Sequence, residues 1–302
     1  METKMKKNGL IIINKENGMS SFSAVSRARR ILGADKAGHT GTLDPMATGV
    51  LPILLGRGVK ASEYMLSSDK HYIATLLLGI TTDTEDVTGE VLTKSDKVPT
   101  ESAVHCAVQS MLGESMQVPP MYSALKVGGK KLCDLAREGK TVEREPRKIT
   151  VYSINVHKKT DLEYELDIKC SKGTYIRTLC KDIGEKLGTG GVMKSLIRAE
   201  ASGFTLSDAV TLTELEAMTE EERESRILPI ERIFEKERKI TLPPFFARLA
   251  RCGVEIYEKK LGTALDVGER VTLFDEKGFF ALGEVRQFAE GVAIKPIKQF
   301  DT

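Results

Sequence analysis

A chain of 302 residues, 41% hydrophobic and 29% charged, has the composition of an ordinary globular protein and the length for one large unit plus a small one. No apolar run approaches the ~20 residues of a membrane span, and the run Leu10 to Ile13 behind the N-terminal lysines is too short for a secretory signal. Five cysteines without a C-x-x-C pair and four scattered histidines support neither a zinc site nor a disulfide framework, so a reduced, cytoplasmic protein is expected.

The formal charge of +2 is too small to announce a polyanionic partner, but its distribution is uneven. Residues 22–60 hold six Lys/Arg against two Asp/Glu, and residues 122–160 hold ten against four. Residues 214–238 reverse this, with nine acidic and five basic side chains. A polyanion would meet the first half of the chain, although a mixed solvated surface fits the counts equally well.

In chain order, Leu10 to Ile13 reads as a first strand ending at Asn14-Lys15. Ser20 or Ser21 then caps a helix whose apolar positions Phe22, Val25, Ala28 and Leu32 recur at helical spacing, and Gly33 ends it. Arg27, Arg29 and Arg30 lie off that stripe and should face outward. Next comes GHTGTLDPMATG, residues 38–49, a glycine-jointed loop with one carboxylate, followed by Val50 to Leu55 as a short buried strand. Pro45 keeps Asp44 out of the helical region, which suits a plain turn as well as a presented acid.

Lys70 to Gly79 reads as a strand with Tyr72 near its start, and Pro99 to Gly113 as an amphipathic helix. Between them, GITTDTEDVTG lacks the offsets of a calcium loop. Residues 117–147, with paired prolines, paired glycines and many cations, read as a mobile basic excursion. Two strands, Lys148 to Val156 and Glu163 to Cys170, lead to a helix with the stripe Ile176, Leu179, Cys180, Ile183 and Leu187. Arg177 lies off that stripe in the first turn, where the helix dipole disfavours a cation, so unless exposed it should have an anionic partner. Residues 214–238 read as an acidic linker. A short helix ending at Gly253 and a run of strands from Ala264 to Phe300, with turns at 275–278 and 290–291, close the chain. Phosphate-loop, nucleophile-elbow and zinc-protease motifs are absent, and Gly56-Arg57-Gly58 lacks the third glycine of a dinucleotide signal.

The words Gly38 to Pro45, Ala47-Thr48-Gly49 and Leu51-Pro52 resemble the aspartate motif of the bacterial TruB family of tRNA pseudouridine synthases. Further matches extend the resemblance over roughly residues 8–210. It implies a mixed α/β (α+β) pseudouridine-synthase fold on a largely antiparallel sheet, with a catalytic domain at 1–236, an RNA-gripping insertion at about 117–147, and a small β-rich PUA-like RNA-binding domain at 237–302. It also implies base flipping and isomerisation of uridine 55 in the T stem-loop of tRNA. No cofactor or metal is expected, no membrane partner, and a monomer.

Residue by residue, the resemblance makes Asp44 the nucleophile, Arg177 its ionic partner and Tyr72 the ring that stacks on the target base. His39 fills the gap left by that base, Leu196 packs on the uracil, and Lys15, Asp86 and Tyr175 support the site. Held beside Arg177, Asp44 is expected to stay ionised. Glu16 and Asn17 stand in place of a usual proline, and Ile197 and Ala199 in place of an arginine and a threonine, while Arg198 matches; contacts to the RNA backbone are at issue there. A tRNA-binding or tRNA-folding module without catalysis is the alternative reading.

Overall fold

Apolar runs too short for helices, separated by glycines and turns, fold here as strands. The computed structural model describes residues 7–301. Strand β1 (Gly9–Lys15) leads into helix α1 (Ser21–Leu32), then β2 (Ala37–His39), β3 (Thr48–Leu55) and, after a 3₁₀ segment, α2 (Ser62–Leu66). Next come β4 (Lys70–Leu78), β5 (Ile80–Thr82), β6 (Val91–Lys94), α3 (Glu101–Gln109) and β7 (Gly113–Gln117). The two-residue strands β8 (Lys126–Val127) and β9 (Lys130–Lys131) and helix α4 (Leu132–Arg137) precede β10 (Arg147–Lys158), β11 (Glu163–Cys170), α5 (Ile176–Leu187) and β12 (Gly191–Ala201). Then follow β13 (Phe204–Thr205), α6 (Leu212–Ala217), α7 (Glu220–Ser225), β14 (Arg238–Thr241), α8 (Pro244–Arg251), β15 (Ile256–Tyr257), α9 (Glu258–Leu261), β16 (Arg270–Asp275), β17 (Gly278–Phe288) and β18 (Gly291–Gln299).

Among the described residues the main sheet has nine strands in the order β1-β3-β12-β4-β11-β10-β7, with β2 added to β3 and β13 to β12. Its pairings are antiparallel except that of β12 with β3, so the fold is the expected mixed α/β on a largely antiparallel sheet. Strand β1 is buried on both faces, which is why it reads as an unbroken apolar run. Ile11 and Ile13 join α1 and α5 in one core, while Leu10 and Ile12 pack with Met65 and Phe204 on the other side. The parallel contact needs Gly49, whose φ is 105° and where a Cβ would fall 2.3 Å from the Arg198 carbonyl oxygen. At this crossing the aspartate loop meets β12.

Helix α1 is capped by Ser20, whose hydroxyl accepts from the Ser23 N–H, and it ends at Gly33 in the left-handed region. Its buried face is Ser21, Ala24, Val25, Ala28 and Leu32. Phe22 is 76% exposed, so the apolar stripe is narrower than the spacing predicts. Ser21 takes the inward place in the first turn because its hydroxyl is needed on the aspartate loop. Arg27 pairs with Glu216 on α6 instead of facing only water. The expected stripe of α5 is wholly buried, and Arg177 and Thr178 are buried beside it.

Residues 214–238 are not a linker. Thr211 and Thr219 form capping boxes with Glu214 and Glu222, so two of these acids saturate helix N-termini. Leu212 and Leu215 belong to the main core, and Leu228 pairs with Leu10 at the edge of β1. Ile230 and Phe234 then reach the second sheet, where Phe234 meets Phe279, Phe300 and Tyr64. That sheet has five strands in the order β14-β16-β17-β18-β15, with α8 packed on it. Apolar packing joins the two sheets through residues whose surroundings read as polar.

Candidate active site

Leu43 and Ala47 anchor the aspartate loop in the main core, and polar contacts then fix the acid between them. The Ser21 hydroxyl donates to the Leu43 carbonyl at 3.0 Å and accepts from the Leu43 N–H at 2.8 Å, fastening the loop to α1. Lys15, at the end of β1 and buried, donates from Nζ to the carbonyls of Glu16, Met19 and Pro45 at 2.9, 2.8 and 3.1 Å. The Gly18 N–H donates to the Pro45 carbonyl, and the Ala47 N–H closes a turn on the Asp44 carbonyl, each at 3.0 Å. The segment 15–20 thus braces the acid from one side, and Glu16 and Asn17 fit that loop without a proline.

Arg177 braces it from the other. Its Nε lies 2.9 Å from Asp44 Oδ2 and its Nη2 3.2 Å from Asp44 Oδ1, a two-pronged pairing of guanidinium and carboxylate. Nη2 also donates to the Tyr122 carbonyl at 2.7 Å, and Nη1 to the Thr84 carbonyl at 3.1 Å with Asp86 Oδ2 at 3.8 Å. Asp86 is held by the Thr88 N–H and by the hydroxyls of Thr84 and Thr88, all on Oδ1. One arginine therefore joins the aspartate loop, the loop after β5 and the base of the 117–147 segment. The Arg177 side chain is 5% exposed and that of Asp44 31%, so the carboxylate is the member of the pair open to a ligand.

The electrostatic balance departs from the simple expectation. Burial raises the Asp44 carboxyl above the ordinary aspartate range; Arg177 and Lys15 oppose this and Asp86 adds to it. The ion pair limits the rise without reversing it. Burial lowers Lys15 to about 8, with Asp44 opposing and Arg198 reinforcing. His39, at the end of β2, is lowered by burial and by Arg198, and its Nδ1 accepts from the Gly41 N–H at 3.3 Å.

Beside the acid lies an apolar wall. On β4 and β12, Ala74 stands opposite Leu196 and Tyr72 opposite Arg198, so Tyr72, Leu196 and Arg198 share one face of the sheet. Tyr72 and Leu196 belong to the core cluster that includes Leu43 and Ile176. Tyr175 caps α5 without a side-chain bond, and its backbone N–H and C=O are both taken by the Gln117 amide at 2.8 and 3.1 Å. Among the described residues no cluster of three His, Cys, Asp or Glu could hold a metal ion. Two cavities, of about 430 and 320 Å³, sit elsewhere, around Arg57.

The family model described as TruB family pseudouridylate synthase (N terminal domain) matches residues 29–176, and that of the tRNA pseudouridylate synthase B C-terminal domain matches 177–235. The tRNA pseudouridine synthase B of Alkaliphilus oremlandii is 43% identical over 281 residues, 92% of this chain and 93% of its own length. That of Clostridium tetani is 42% identical over 280 residues, 92% of this chain and 95% of its own. The chain belongs to the TruB family of pseudouridylate synthases. Among solved structures, a Cbf5-Nop10-Gar1 complex matches with a TM-score of 0.72 at 25% identity, covering 98% of this chain and 85% of that one. The archaeal box H/ACA sRNP Nop10-Cbf5 complex, at 24% identity and a TM-score of 0.69, shares the fold.

The synthase isomerises uridine to pseudouridine, and two features of its site escape a reading of residues alone. Arg198 is 1% exposed and makes no RNA-facing contact: its Nε donates to the Val50 carbonyl at 2.7 Å and its Nη2 to the Gly41 carbonyl at 3.2 Å. Arg198 stands opposite Tyr72 on β4, and its bond to the Gly41 carbonyl ties that face of the sheet to the aspartate loop. The neighbouring Ile197 is exposed. The second feature is the carbonyl pair of Thr84 and Tyr122 on Arg177, which leaves no trace in side-chain identity.

Proposed function

We propose that this synthase acts on uridine 55 in the T arm of tRNA, with Asp44 as its nucleophile. Supporting this is the Asp44 carboxylate, open to a ligand, clamped by Arg177 and set near Tyr72 and Leu196, in a chain related to synthases named for tRNA. Turning uracil over exchanges a C–N for a C–C glycosidic bond and leaves the oxidation state unchanged. Attack at C6, attack at C1′ and abstraction of the 2′ hydrogen all call for the same ionised carboxylate.

The target base must leave its stack before Asp44 can touch it, at a cost of a few kcal/mol. His39 occupies the vacated space, while Tyr72 and Leu196 receive the uracil; stacking on an aromatic ring returns ~1–3 kcal/mol per base. Lys15, Asp86 and Tyr175 keep the acid, its arginine and the floor in place. Residues 117–147 grip phosphates, and 237–302 form a second RNA-binding domain behind a catalytic domain at 1–236. The protein works as a cytoplasmic monomer.

The test is to incubate the purified protein with an unmodified tRNA transcript, without cofactor or added metal, and to map pseudouridine by nucleotide. Product at position 55 alone, lost in Asp44→Asn with binding kept, is the expected result. Binding without product in the parent protein would instead make the chain a tRNA-folding module.

A further inference from the structure

The loop between β5 and β6 contains an unusual backbone. Glu85 has φ of 64°, in the left-handed region that side-chain-bearing residues seldom occupy. Its side chain is turned inward and 12% exposed. Glu85 Oε2 accepts from the Thr178 hydroxyl at 2.6 Å, and Oε1 lies 3.4 Å from Lys181 Nζ. The Glu85 carbonyl accepts from the Met193 N–H at 3.1 Å, fixing the turn to β12.

Three consecutive residues of this loop thus read two consecutive residues of α5. The Thr84 carbonyl and the Asp86 carboxylate face Arg177, while Glu85 between them takes Thr178. With residue 85 left-handed, its two neighbours face the same guanidinium while its own side chain goes to the next residue of the helix. A strained conformation persists where surrounding contacts over-determine it, and such positions gather at functional sites. The contacts of the Glu85 carboxylate do that here.

We infer that Glu85 is a positioning residue for the isomerisation: its bond to Thr178 holds the left-handed turn that aims Thr84 and Asp86 at Arg177 and so keeps Arg177 on Asp44. Glu85 itself touches neither Asp44 nor the space beside it. Released from Thr178, the turn relaxes towards ordinary backbone angles, the Thr84 carbonyl rotates away, and the guanidinium loses its seat. The inference rests on the proposed pairing of Asp44 and Arg177 as the working site.

The experiment compares Glu85→Ala, Glu85→Gln and Thr178→Val with the parent enzyme on a tRNA transcript, measuring kcat, KM and the pH profile of kcat/KM. Glu85→Ala and Thr178→Val should each lower kcat about 10–100-fold with KM for tRNA within about twofold, as expected for a displaced catalytic pair. The acid limb should move to higher pH as Asp44 loses its cationic partner. Glu85→Gln keeps the acceptor and should stay within about threefold of the parent. The double variant Glu85→Ala/Thr178→Val should be no slower than either single one. Parental kcat in Glu85→Ala, an acid limb that does not move, or a Glu85→Gln as slow as Glu85→Ala would each overturn the assignment. Each leaves the nucleophile untouched if Asp44→Asn is inactive; full activity in Asp44→Asn would overturn the underlying pairing instead.

Discussion

The aspartate loop and the 117–147 segment are neighbours held to different standards. Around Asp44, Lys15, Ser21, Arg177 and the Gly18 and Ala47 amides fix a few residues from several sides. The longer segment is anchored at few points. Gln117 binds the Tyr175 backbone, Leu132 is buried, Arg144 donates to the Pro119 carbonyl, and the β8–β9 hairpin is wholly exposed. A group that does chemistry must already stand in place, because a misplacement of 1 Å costs about 10²-fold in rate. In the proposed function the segment grips phosphates, and such a surface gains by remaining adjustable, since most of its attraction is non-directional charge. The two meet on Arg177, whose Nη2 takes the Tyr122 carbonyl of the basic segment while the same guanidinium holds Asp44.

Substitutions in the two regions should give opposite kinetic signatures. The largest effect is expected for Asp44→Asn: pseudouridine falls below detection while tRNA affinity changes by no more than about twofold, checked by product mapping and filter binding. Arg177→Met comes next. Turnover should fall about 10²–10³-fold, the scale of losing one preorganised electrostatic partner. Burial already raises the Asp44 carboxyl, so removing the opposing guanidinium raises it further, and activity should be lost at higher pH as the solution is acidified. A pH profile of single-turnover rates checks the direction.

In the basic segment the signature should invert. Lys130→Glu with Lys131→Glu should raise KM roughly tenfold, leave kcat near its parental value and flatten the salt dependence of binding by about one unit of slope for each phosphate no longer neutralised. A fall in kcat instead would show the hairpin working as part of the catalytic seat. The smallest effect concerns Lys15. Its ammonium is lowered to about 8, so it loses a proton at a lower pH than an ordinary lysine. As pH rises through that value, one of its three N–H donors to the 16–45 carbonyls is lost along with its charge, and activity should fall a few-fold. A Lys15→Met variant should already be slower and lack this alkaline limb.

Legibility followed how local the determinant was. The strand at 163–170, the stripe of α5 and the glycine stop of α1 follow from spacing and turn chemistry within ten or so residues, and they appear where those rules put them. The misreadings have a common cause. Phe22 fits the helical stripe, yet Ser21 takes the inward place because Leu43, far along the chain, needs its hydroxyl. Residues 214–238 are polar enough to read as a linker, yet Leu215, Ile230 and Phe234, spaced widely along them, enter cores that distant strands build. Arg198, placed in sequence only by its match to the family, is enclosed by two carbonyls from the aspartate loop and β3.

Hydrophobic period and turn residues were enough for many of the elements, and the aspartate motif for the resemblance to a synthase family, which in turn implied the largely antiparallel sheet, because all of these are written in short words. The sequence also left Arg177 two choices, exposure or an anionic partner, by a helix-terminus argument that needs no coordinates. The family resemblance named Asp44 as that partner; the packed fold buries Arg177, sets two oxygens of Asp44 at 2.9 and 3.2 Å and adds two backbone carbonyls and the more distant Asp86. Carbonyls are common to all residues and carry no sequence signal. Their use as ligands depends on where loops remote in the chain come to lie, and that is settled when the sheet and α5 pack.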